Sequence, residues 1–498
     1  MSFLEILYLN QSYYTLIKEG LYFYHEQIQY SMKTISKFCA LFLSLLVVES
    51  SFAQAPPSIV ADSFQSILEH SLPTTFSHPG AIIQVYVPGK WSWSSAAGYA
   101  ISGTTVGQTQ TIANATDKFR VGSITKMMLA TCILKLQEQG ELSIEDPISM
   151  HLRASLVNDT IASSETVKIK HLLNHTSGIA NSGDNNDCQM DVLGNPTGAH
   201  TLEEAIFCGA SQGEIFPPEF AWAYSNTNYS ILAMIIEKVS GLSWKDFLTQ
   251  TIITPLQLSN TEIPVTNQIN GSHMGCYWNI GSWIDLTIIN PTTYAGWADV
   301  VSTTSDLITF MTALRSGEII NTNSLLLMET EFPGTYDYGL GYDLYTYSGV
   351  SYNGHFGEVA NLSGLFFANT TSERAPNGYY ISYNYNVQGA DDINKLGKPI
   401  FAFLNSNETL DVISLHTSKS LSKIFPNPAC SEFTIQTSLN SNEELKVVLI
   451  DALGKIVTQN SYSGLSNFPV DCSQIKRGIY TVSIQSESKI EYHQVILN

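Results

Sequence analysis

One segment constrains the fold more than any other, because it predicts a buried helix that begins at a serine. After Gly122 the sequence continues Ser-Ile-Thr-Lys-Met-Met-Leu-Ala-Thr-Cys-Ile-Leu-Lys-Leu. Apolar side chains recur there at helical spacing, at Leu129, Cys132, Ile133 and Leu136. Gly140 is suited to ending the helix. We therefore expect Ser123 at the helix N-terminus, with Lys126 one turn further on.

The pair Ser123 and Lys126 has the spacing of a nucleophile and its base. Residues three apart share one face of a helix, so the lysine amine can reach the serine hydroxyl. A serine hydroxyl is a poor nucleophile until a base takes its proton, and burial lowers the pKa of a lysine enough for that task. The free amide groups of the first helical turn can hold an oxyanion.

The spacing alone is not specific, because Ser420, Ser473 and Ser486 also precede a lysine by three residues. These three serines lie in a region of predicted strands, where no helix would bring serine and lysine together. The helix after Ser123, and the further segments described next, distinguish that serine from the other three.

A second segment contains Tyr224 and Asn226, two residues apart in Tyr-Ser-Asn. A tyrosine near the nucleophile can pass a proton to the leaving group. An asparagine amide can bond both the Lys126 amine and a substrate carbonyl. Both side chains are therefore candidate site residues.

A third segment, His355-Phe-Gly357, follows a glycine-rich turn and is predicted to form an edge strand. Gly357 would let a substrate lie against that strand. The backbone N–H of Glu358 is a candidate second donor to an oxyanion. We assign His355, Gly357 and Glu358 to substrate binding.

The order S-x-x-K, Y-x-N, H-x-G resembles the family of class C β-lactamases, DD-peptidases, esterases and D-amino-acid amidases. The resemblance covers about residues 59–405, and the hydrolase domain is expected over residues 59–410. Further matching stretches are Leu172–Gly178, Ile236–Gly241, Ser302–Asp306 and Tyr338–Gly341. The resemblance implies an α+β fold, in which an antiparallel sheet flanked by helices meets an all-helical subdomain. The active site would lie in the groove between them.

The same resemblance implies a role for each site residue. Ser123 would be the nucleophile, and Lys126 and Tyr224 the acid and base pair. Asn226 would be an orienting group, and His355 with Gly357 would form the far wall of the site. The sequence leaves open whether lysine or tyrosine takes the first proton. The implied activity needs no cofactor: a serine hydrolase forms a covalent acyl-enzyme from an ester or amide, as esterases, D-amino-acid amidases and DD-peptidases do.

The third segment departs from the family pattern at Phe356. β-Lactamases of this family usually have Lys-Thr-Gly there and the peptidases often His-Thr-Gly; the lysine charge and threonine hydroxyl help to hold a substrate carboxylate. Phe356 offers neither group. We therefore favour an esterase, amidase or peptidase with another substrate handle. The alternatives are β-lactamase activity, or a non-catalytic binding protein that retains the scaffold.

Two other groups of polar residues are interpreted structurally. His175, in Asn-His-Thr-Ser-Gly, is expected to bond backbone groups of a loop. Asp184, Asp187 and Asp191 do not have the spacing of a calcium loop, so they predict a solvated loop and no metal site.

Residues 32–53 predict a secretory signal peptide. Two lysines precede an apolar run, Phe38–Val48, and small residues lead to Ala53. The run is too short to span a bilayer, so we expect no transmembrane segment in the mature chain. Because a signal peptide starts a protein, residues 1–31 are interpreted as a spurious upstream extension, with Met32 as the initiator.

The last part of the chain predicts a small all-β sandwich over residues 420–498. Alternating apolar residues indicate strands at Leu445–Ile450 and Tyr480–Ile484. A chain of 498 residues is also long enough for more than one folding unit.

Three short motifs near the chain end follow each other in a fixed order: Phe-Pro-Asn-Pro from Phe425, Asp-Ala-Leu-Gly-Lys from Asp451, and Arg-Gly-Ile-Tyr from Arg477. They resemble the C-terminal type A sorting domain of type IX secretion. That resemblance implies the secretion machinery as a partner. It also implies passage across the outer membrane to the cell surface or the medium. An accessory sandwich that binds carbohydrate or protein is the alternative.

Charge and cysteine content narrow the partners further. With 24 Lys+Arg against 44 Asp+Glu, the net charge of -20 argues against nucleic-acid binding, so the expected partner is a small-molecule or peptide substrate. Export permits disulfides, and the pairs to test first are Cys188 with Cys208 and Cys430 with Cys472. No cysteine pair has zinc-ligand spacing.

Overall fold

The computed structural model describes residues 54–103, 108–152, 161, 163–332, 337–390, 393–406, 422–437, 444–451, 456–463, 466–486 and 490–497. The predicted signal peptide, residues 32–53, and the upstream extension, residues 1–31, lie outside this part of the chain. None of the helices within it is long and apolar enough to cross a membrane.

Helices and strands alternate up to residue 405, and the described residues beyond it form strands with their connecting turns. Helices α1 to α10 are Ser58–Ser71, Ile124–Glu138, Ile169–Leu173, Asn186–Gly194, Leu202–Ala210, Asn226–Ser240, Trp244–Leu248, Thr304–Ser316, Thr322–Met328 and Lys398–Asn405. Strands β1 to β11 are Gly80–Val87, Trp91–Ile101, Thr111–Ile112, Phe119–Arg120, Tyr277–Asn279, Trp283–Asp285, Val301–Ser302, Asp343–Tyr347, Val350–Glu358, Leu362–Asn369 and Tyr379–Tyr385. Strands β12 to β18 are Ser422–Phe425, Glu432–Thr437, Glu444–Asp451, Ile456–Ser463, Asn467–Asp471, Gly478–Gln485 and Ile490–Leu497. Single turns of 3-10 helix are at Ile148–Met150, Ser182–Asp184 and Pro291–Tyr294, and π-helical turns at Thr249–Ile253 and Ile393–Gly397.

A seven-stranded sheet in the order β3-β2-β1-β11-β10-β9-β8 is the framework of the larger part of the chain. All of its neighbouring strands are antiparallel. Successive side chains of a strand point to opposite faces. Ile82 and Leu365 accordingly belong to one apolar cluster, and Ile83 and Phe366 to another. The sheet is therefore buried on both faces.

Different helices cover the two faces of this sheet. On one face, Phe64 of α1 packs edge-on against Trp93 of β2, with ring centroids 5.4 Å apart. On the same face, Phe401 of α10 lies 4.2 Å from the ring of Tyr352 of β9. Helix α8 covers the other face, where it contacts β1, β10 and β11. This is the expected α+β arrangement of an antiparallel sheet between helices.

Helix α6 is the centre of the helical part of the fold. It contacts α2, α3, α5 and α7, and every residue from Asn226 to Ile236 is buried. A helix that is buried all round must lie in the interior rather than on a surface. This part corresponds to the predicted helical subdomain.

Helix α2 is the predicted helix after Ser123, and it too is buried nearly all round. The apolar positions expected at helical spacing, Leu129, Cys132, Ile133 and Leu136, are all in the core. Gly140 follows the helix with φ of 75°, which glycine adopts more readily than other residues. The expected start at Ser123 and stop at Gly140 are confirmed.

The predicted edge strand with His355 is only partly an edge. Strand β9 lies between β10 and β8, so the sheet as a whole does not end there. The last pair of β8 with β9 joins Asp343 to Gly354. Because β8 stops at this pair, residues 355–358 extend beyond it, and only this end of β9 is free on one side.

The C-terminal strands form two small sheets, in the orders β12-β13-β16 and β15-β14-β17-β18. Apolar side chains from both sheets share one core, which includes Phe433, Val447, Phe468 and Val482. The strands predicted at Leu445–Ile450 and Tyr480–Ile484 lie within β14 and β17. The predicted all-β tail is therefore confirmed.

One of the two predicted cysteine pairs forms a disulfide. Cys188 of α4 and Cys208 of α5 are bonded, with Cα atoms 6.1 Å apart. The pairing of Cys430 with Cys472 was wrong: both are free thiols in this structure. Cys472 is buried in the core of the sandwich while Cys430 is exposed, so the two side chains point to different surroundings.

Replacing Cys188 and Cys208 together by serine should lower the free energy of unfolding by about 3 kcal/mol, because the bond closes a loop between residues 20 apart in the sequence. The measurement is the urea midpoint of unfolding under oxidising conditions. The control is Cys430→Ser, which removes an exposed free thiol and should leave the midpoint unchanged. An unchanged midpoint in the double variant would contradict the prediction.

Candidate active site

Ser123 and Lys126 meet at the start of α2. The Lys126 Nζ atom lies 2.9 Å from Ser123 Oγ, as the three-residue spacing predicts. It also donates a hydrogen bond to the backbone carbonyl of Trp297, at 3.1 Å. The serine side chain is partly exposed and lines a cavity, whereas the lysine is fully buried behind it.

Burial controls the charge of the Lys126 amine. Desolvation holds its pKa well below the ordinary value of 10.5, and the Asp343 carboxylate raises it in part. Three aromatic rings surround the amine, with centroids 5.0 Å (Tyr224), 5.5 Å (Tyr229) and 5.1 Å (Trp297) from Nζ. The lowered pKa makes the neutral amine, the form that can accept a proton, more accessible than in a solvated lysine.

Tyr224 is held beside Ser123 by the loop that contains His175. The His175 Nδ1 atom accepts a hydrogen bond from the backbone N–H of Ser225 at 3.1 Å, and its carbonyl accepts one from Ala223 at 3.0 Å. The His175 ring also packs on the Tyr224 ring, with centroids 4.3 Å apart. This is the structural use expected of His175.

The Tyr224 phenol lies close enough to Ser123 for the two side chains to interact. Burial raises the pKa of this phenol, and the interaction with Ser123 opposes the rise only in part. A phenol with a raised pKa retains its proton at neutral pH. Tyr224 is therefore better suited to donating a proton than to accepting one.

Asn226 begins α6 and lines the same cavity. Its backbone N–H donates to Asn181 Oδ1 at 2.9 Å. Its own Oδ1 atom is buried and has no hydrogen-bond partner among the described residues. The sequence interpretation gave Asn226 a bond to the Lys126 amine, but in this structure the Trp297 carbonyl occupies that position on the amine instead.

His355 lies behind the cavity and not in its lining. Its Nδ1 atom is bonded to the carbonyl of Phe356, which can only accept, so in the neutral ring Nε2 accepts from the Tyr338 hydroxyl at 2.9 Å. Burial lowers the pKa of His355, and Asp343 raises it in part. The ring of Phe356 packs against Phe366, with centroids 4.6 Å apart, and so offers no polar group to a ligand.

Gly357 and Gly122 let two backbone segments meet beside Ser123. A Cβ atom added at Gly357 would lie 1.9 Å from the Val121 carbonyl oxygen, and one added at Gly122 would lie 2.4 Å from the Glu358 nitrogen. Gly357 was expected to make room for substrate, whereas here it makes room for Val121. The Glu358 N–H lies beside the turn that carries Ser123, where an oxyanion donor is needed.

Sequence reasoning did not identify two further residues of this site. Trp297 contributes a backbone carbonyl, which leaves no side-chain signature, and the residue also lines the cavity. Tyr338 stands in the matching stretch Tyr338–Gly341, and that was the one available signal for it.

The cavity in front of Ser123 has a volume of about 1200 Å³. Tyr224 and Asn226 line the same cavity as the serine, and so does Glu358, the last residue of β9. Its outer part is formed by α4 and α5, the two helices joined by the disulfide. The predicted solvated loop of Asp184, Asp187 and Asp191 is mostly helical, since Asp187 and Asp191 lie in α4, and all three line this cavity.

Residues 68–393 match the family described as Beta-lactamase, and residues 423–498 match the Secretion system C-terminal sorting domain. The chain is 29% identical over 307 residues to "Penicillin-binding protein 4" of Amycolatopsis lactamdurans, covering 58% of this chain and 76% of that protein. It is 30% identical over 202 residues to "Protein flp" of Staphylococcus aureus (strain MW2), covering 41% of this chain and 38% of that protein.

Solved structures share the fold of the larger part of the chain. A D-stereospecific amidohydrolase from Streptomyces sp. superposes with a TM-score of 0.60 at 26% identity, covering 69% of this chain and 99% of that one. The D-amino acid amidase from Ochrobactrum anthropi SV3 gives a TM-score of 0.57 at 20% identity, covering 70% and 99%. These matches show the β-lactamase and transpeptidase type of fold.

Gly122→Ala should reduce the rate at which a fluorophosphonate labels Ser123 by at least about tenfold, because the new methyl group would displace Glu358 from the serine turn and the φ of 58° is strained for alanine. The rate is measured by gel fluorescence over time. Gly140→Ala is the matched control: its φ of 75° is also positive, but nothing lies within 4 Å of an added Cβ. Equal labelling rates in the two variants would contradict the prediction.

Proposed function

The chain belongs to the β-lactamase family, and we propose that it is a serine hydrolase in which Ser123 forms a covalent acyl-enzyme with an ester or an amide. The observation that carries this proposal is the 2.9 Å contact between Lys126 Nζ and Ser123 Oγ at the edge of a large cavity. A buried lysine within hydrogen-bond distance of a partly exposed serine is the arrangement that nucleophilic catalysis requires.

Lys126 takes the first proton in the proposed mechanism. Its amine contacts the serine hydroxyl directly, and its lowered pKa makes the neutral form available. The Trp297 carbonyl accepts one amine N–H and so leaves the nitrogen lone pair for the serine proton. The raised pKa of Tyr224 argues against its phenolate as the first base.

Acylation then proceeds by transfer of the serine proton to Lys126 while Ser123 Oγ bonds to the carbonyl carbon. The carbonyl oxygen becomes an oxyanion, held by the backbone N–H groups of Ser123 and Glu358. The bond to the leaving group breaks, and Tyr224 donates a proton to the departing alcohol or amine, replaced from Lys126. In deacylation a water molecule attacks the carbonyl carbon of the acyl-enzyme ester. Its proton passes through Tyr224 and Lys126 to Ser123 Oγ as the bond between Oγ and the acyl carbon breaks, which releases the acid and restores Ser123.

Esters and amides without a carboxylate beside the scissile bond are the substrates favoured by the third segment. The Phe356 ring packs against Phe366, and the His355 ring is hydrogen-bonded to Tyr338. Neither side chain therefore offers a charge for a β-lactam carboxylate. The similarity to a D-stereospecific amidohydrolase supports an amide substrate. His355 and Gly357 act in this proposal as positioning residues for the Glu358 N–H.

The tail assigns the place of action. Residues 423–498 carry the secretion sorting domain, which indicates export to the cell surface or the medium. We further propose that residues 32–53 are removed as a signal peptide, that residues 59–410 form the hydrolase unit, and that residues 420–498 engage the type IX machinery for passage across the outer membrane.

Ser123→Ala should abolish both fluorophosphonate labelling and hydrolysis of p-nitrophenyl esters, because it removes the nucleophile. The assay is in-gel fluorescence together with release of p-nitrophenol, and Ser420→Ala, which alters another S-x-x-K match, is the control. Absence of labelling in the folded native protein would refute the hydrolase and favour a binding protein. Faster turnover of a chromogenic cephalosporin than of any ester or D-amino-acid amide would refute the argument from Phe356.

The acid limb of the pH profile should report Lys126. The neutral amine, which is the base, predominates above the pKa of Lys126. Because burial lowers this pKa, kcat/KM should rise with pH around a midpoint well below 10.5. Lys126→Arg keeps a positive charge that does not dissociate, and should cost at least about a hundredfold in kcat/KM. Lys135→Arg, on the same helix but away from Ser123, is the control. A profile unchanged in Lys126→Arg would exclude this lysine as the base.

A further inference from the structure

The cavity in front of Ser123 has two chemically different walls. One wall is apolar and includes Trp278, Leu286 and Trp297. A second wall, contributed by residues 184–204, carries the carboxylates of Asp184, Asp187, Asp191 and Glu203, together with His200 and the apolar Val192 and Leu193. We call these the apolar wall and the acidic wall.

The cavity lining has a larger excess of acidic over basic residues than the chain as a whole. Among the described residues that line the cavity, six are Asp or Glu and none is Lys or Arg. The entire chain has 24 Lys+Arg to 44 Asp+Glu, so general acidity alone would place basic residues in such a lining as well. Asp184, Asp187 and Asp191 form no ion pair within the described part of the chain, so their charge is open to a ligand.

The positive groups behind the cavity do not balance this charge. The Lys126 amine is fully buried, its pKa is held low by that burial, and it is bonded to Ser123 and Trp297. His355 is buried and neutral, with its ring bonded to Phe356 and Tyr338. His200 is the one basic side chain among the described residues that line the cavity, so an anionic ligand would meet six carboxylates without a compensating lysine or arginine.

Asn226 gives a second and independent indication of the ligand. It is 8% exposed, it lines the cavity, and its Oδ1 atom has no hydrogen-bond partner within the described part of the chain. A buried acceptor without a partner costs free energy, which a ligand N–H can recover. Asn226 Oδ1 thus favours a ligand that donates a hydrogen bond, as the acidic wall does.

From these two observations we propose that the cleft selects acyl compounds that combine an apolar body with a protonated amine, the amine lying against the acidic wall and an N–H bonded to Asn226 Oδ1. This inference rests on the proposed function, because it places the scissile carbonyl at Ser123. The volume of about 1200 Å³ exceeds what a single small amide fills, so the amine is remote from the carbonyl, as in a peptide with a lysine-like side chain.

The expected selectivity follows from the geometry of exposed charges. Two unit charges 4 Å apart interact by about 1 kcal/mol in water, so three exposed carboxylates should separate matched cations and anions by roughly tenfold at low salt. At 1 M salt the screening length falls to about 3 Å, and the difference should largely vanish. The whole-chain charge of -20 acts in the same direction, which the control below takes into account.

The first test measures binding without catalysis. Ser123→Ala protein is titrated with two dansyl probes that differ in one end group: a primary amine on a short alkyl chain, and a carboxylate on a chain of equal length. The amine probe should bind roughly tenfold more tightly at low salt, with the ratio approaching one at 1 M salt. Equal affinities, or tighter binding of the carboxylate probe, would overturn the proposal.

The second test locates the selectivity in the acidic wall. In Asp184→Asn/Asp187→Asn/Asp191→Asn protein the affinity ratio of the two probes should fall at least about threefold. The control Asp62→Asn/Glu69→Gln/Glu141→Gln removes the same charge from exposed positions outside the cavity and should retain the parent ratio. An equal fall in both proteins would assign the effect to net charge and overturn the proposal. If melting shows that the triple variant is unfolded, Asp191→Lys alone provides the same comparison.

Ester hydrolysis separates this inference from the proposed function. The native protein is assayed with three p-nitrophenyl esters of equal chain length. Their acyl groups come from an ω-amino acid, from a fatty acid, and from a dicarboxylic acid esterified at one end only. If the cationic ester is hydrolysed fastest, the neutral ester more slowly and the anionic ester slowest, both proposals are supported. Turnover of all three at one rate, with equal probe binding, leaves the hydrolase and removes the selectivity. Selective probe binding without any turnover removes the hydrolase and leaves the selectivity.

Discussion

Burial of the Lys126 amine is the constraint around which the larger part of the fold is arranged. A charged amine in an apolar interior costs several kcal/mol, so the neutral form is favoured and its remaining N–H groups need acceptors. The Trp297 carbonyl supplies one such acceptor, and Ser123 is the other contact. Helix α2 must therefore be enclosed on nearly every side, and α6, β9 and the segment before β7 do so.

The serine turn is held rigidly against the end of β9 by backbone contact and polar side chains. Asn361 Nδ2 donates to the Arg120 carbonyl at 2.8 Å, and Ser363 Oγ donates to the Val121 carbonyl at 2.9 Å. Gly122 and Gly357 permit the close approach that these bonds stabilise. A donor fixed in advance costs no reorganisation when charge develops on a substrate oxygen, which is why this contact matters for the chemistry we propose.

Local spacing predicted the parts of the site that depend on one element. The contact of Ser123 with Lys126 follows from three residues on one helix, and the stop at Gly140 follows from backbone preference. The positions of Tyr224 and His355 came from resemblance, since no local rule brings together segments more than a hundred residues apart. The bond to Trp297, the ring contact of His175 and the pair Tyr338 with His355 depend on tertiary packing, and they were not predicted. The edge position of β9 was half right, because strand length in β8 decides where the edge begins.

The charge of the cleft and the departure at Phe356 point in one direction. A family site that binds carboxylates needs a cation or a hydroxyl on the third segment, and here that position is an aromatic ring packed against Phe366. The acidic wall carries carboxylates on α4, where Asp187 and Asp191 are held near α5 by the disulfide of Cys188. Loss of an anion-binding group removes an attraction, whereas the carboxylates add a repulsion. The two features together therefore separate cationic from anionic substrates more strongly than either does alone, because specificity depends on the difference between attraction for one ligand and repulsion of another.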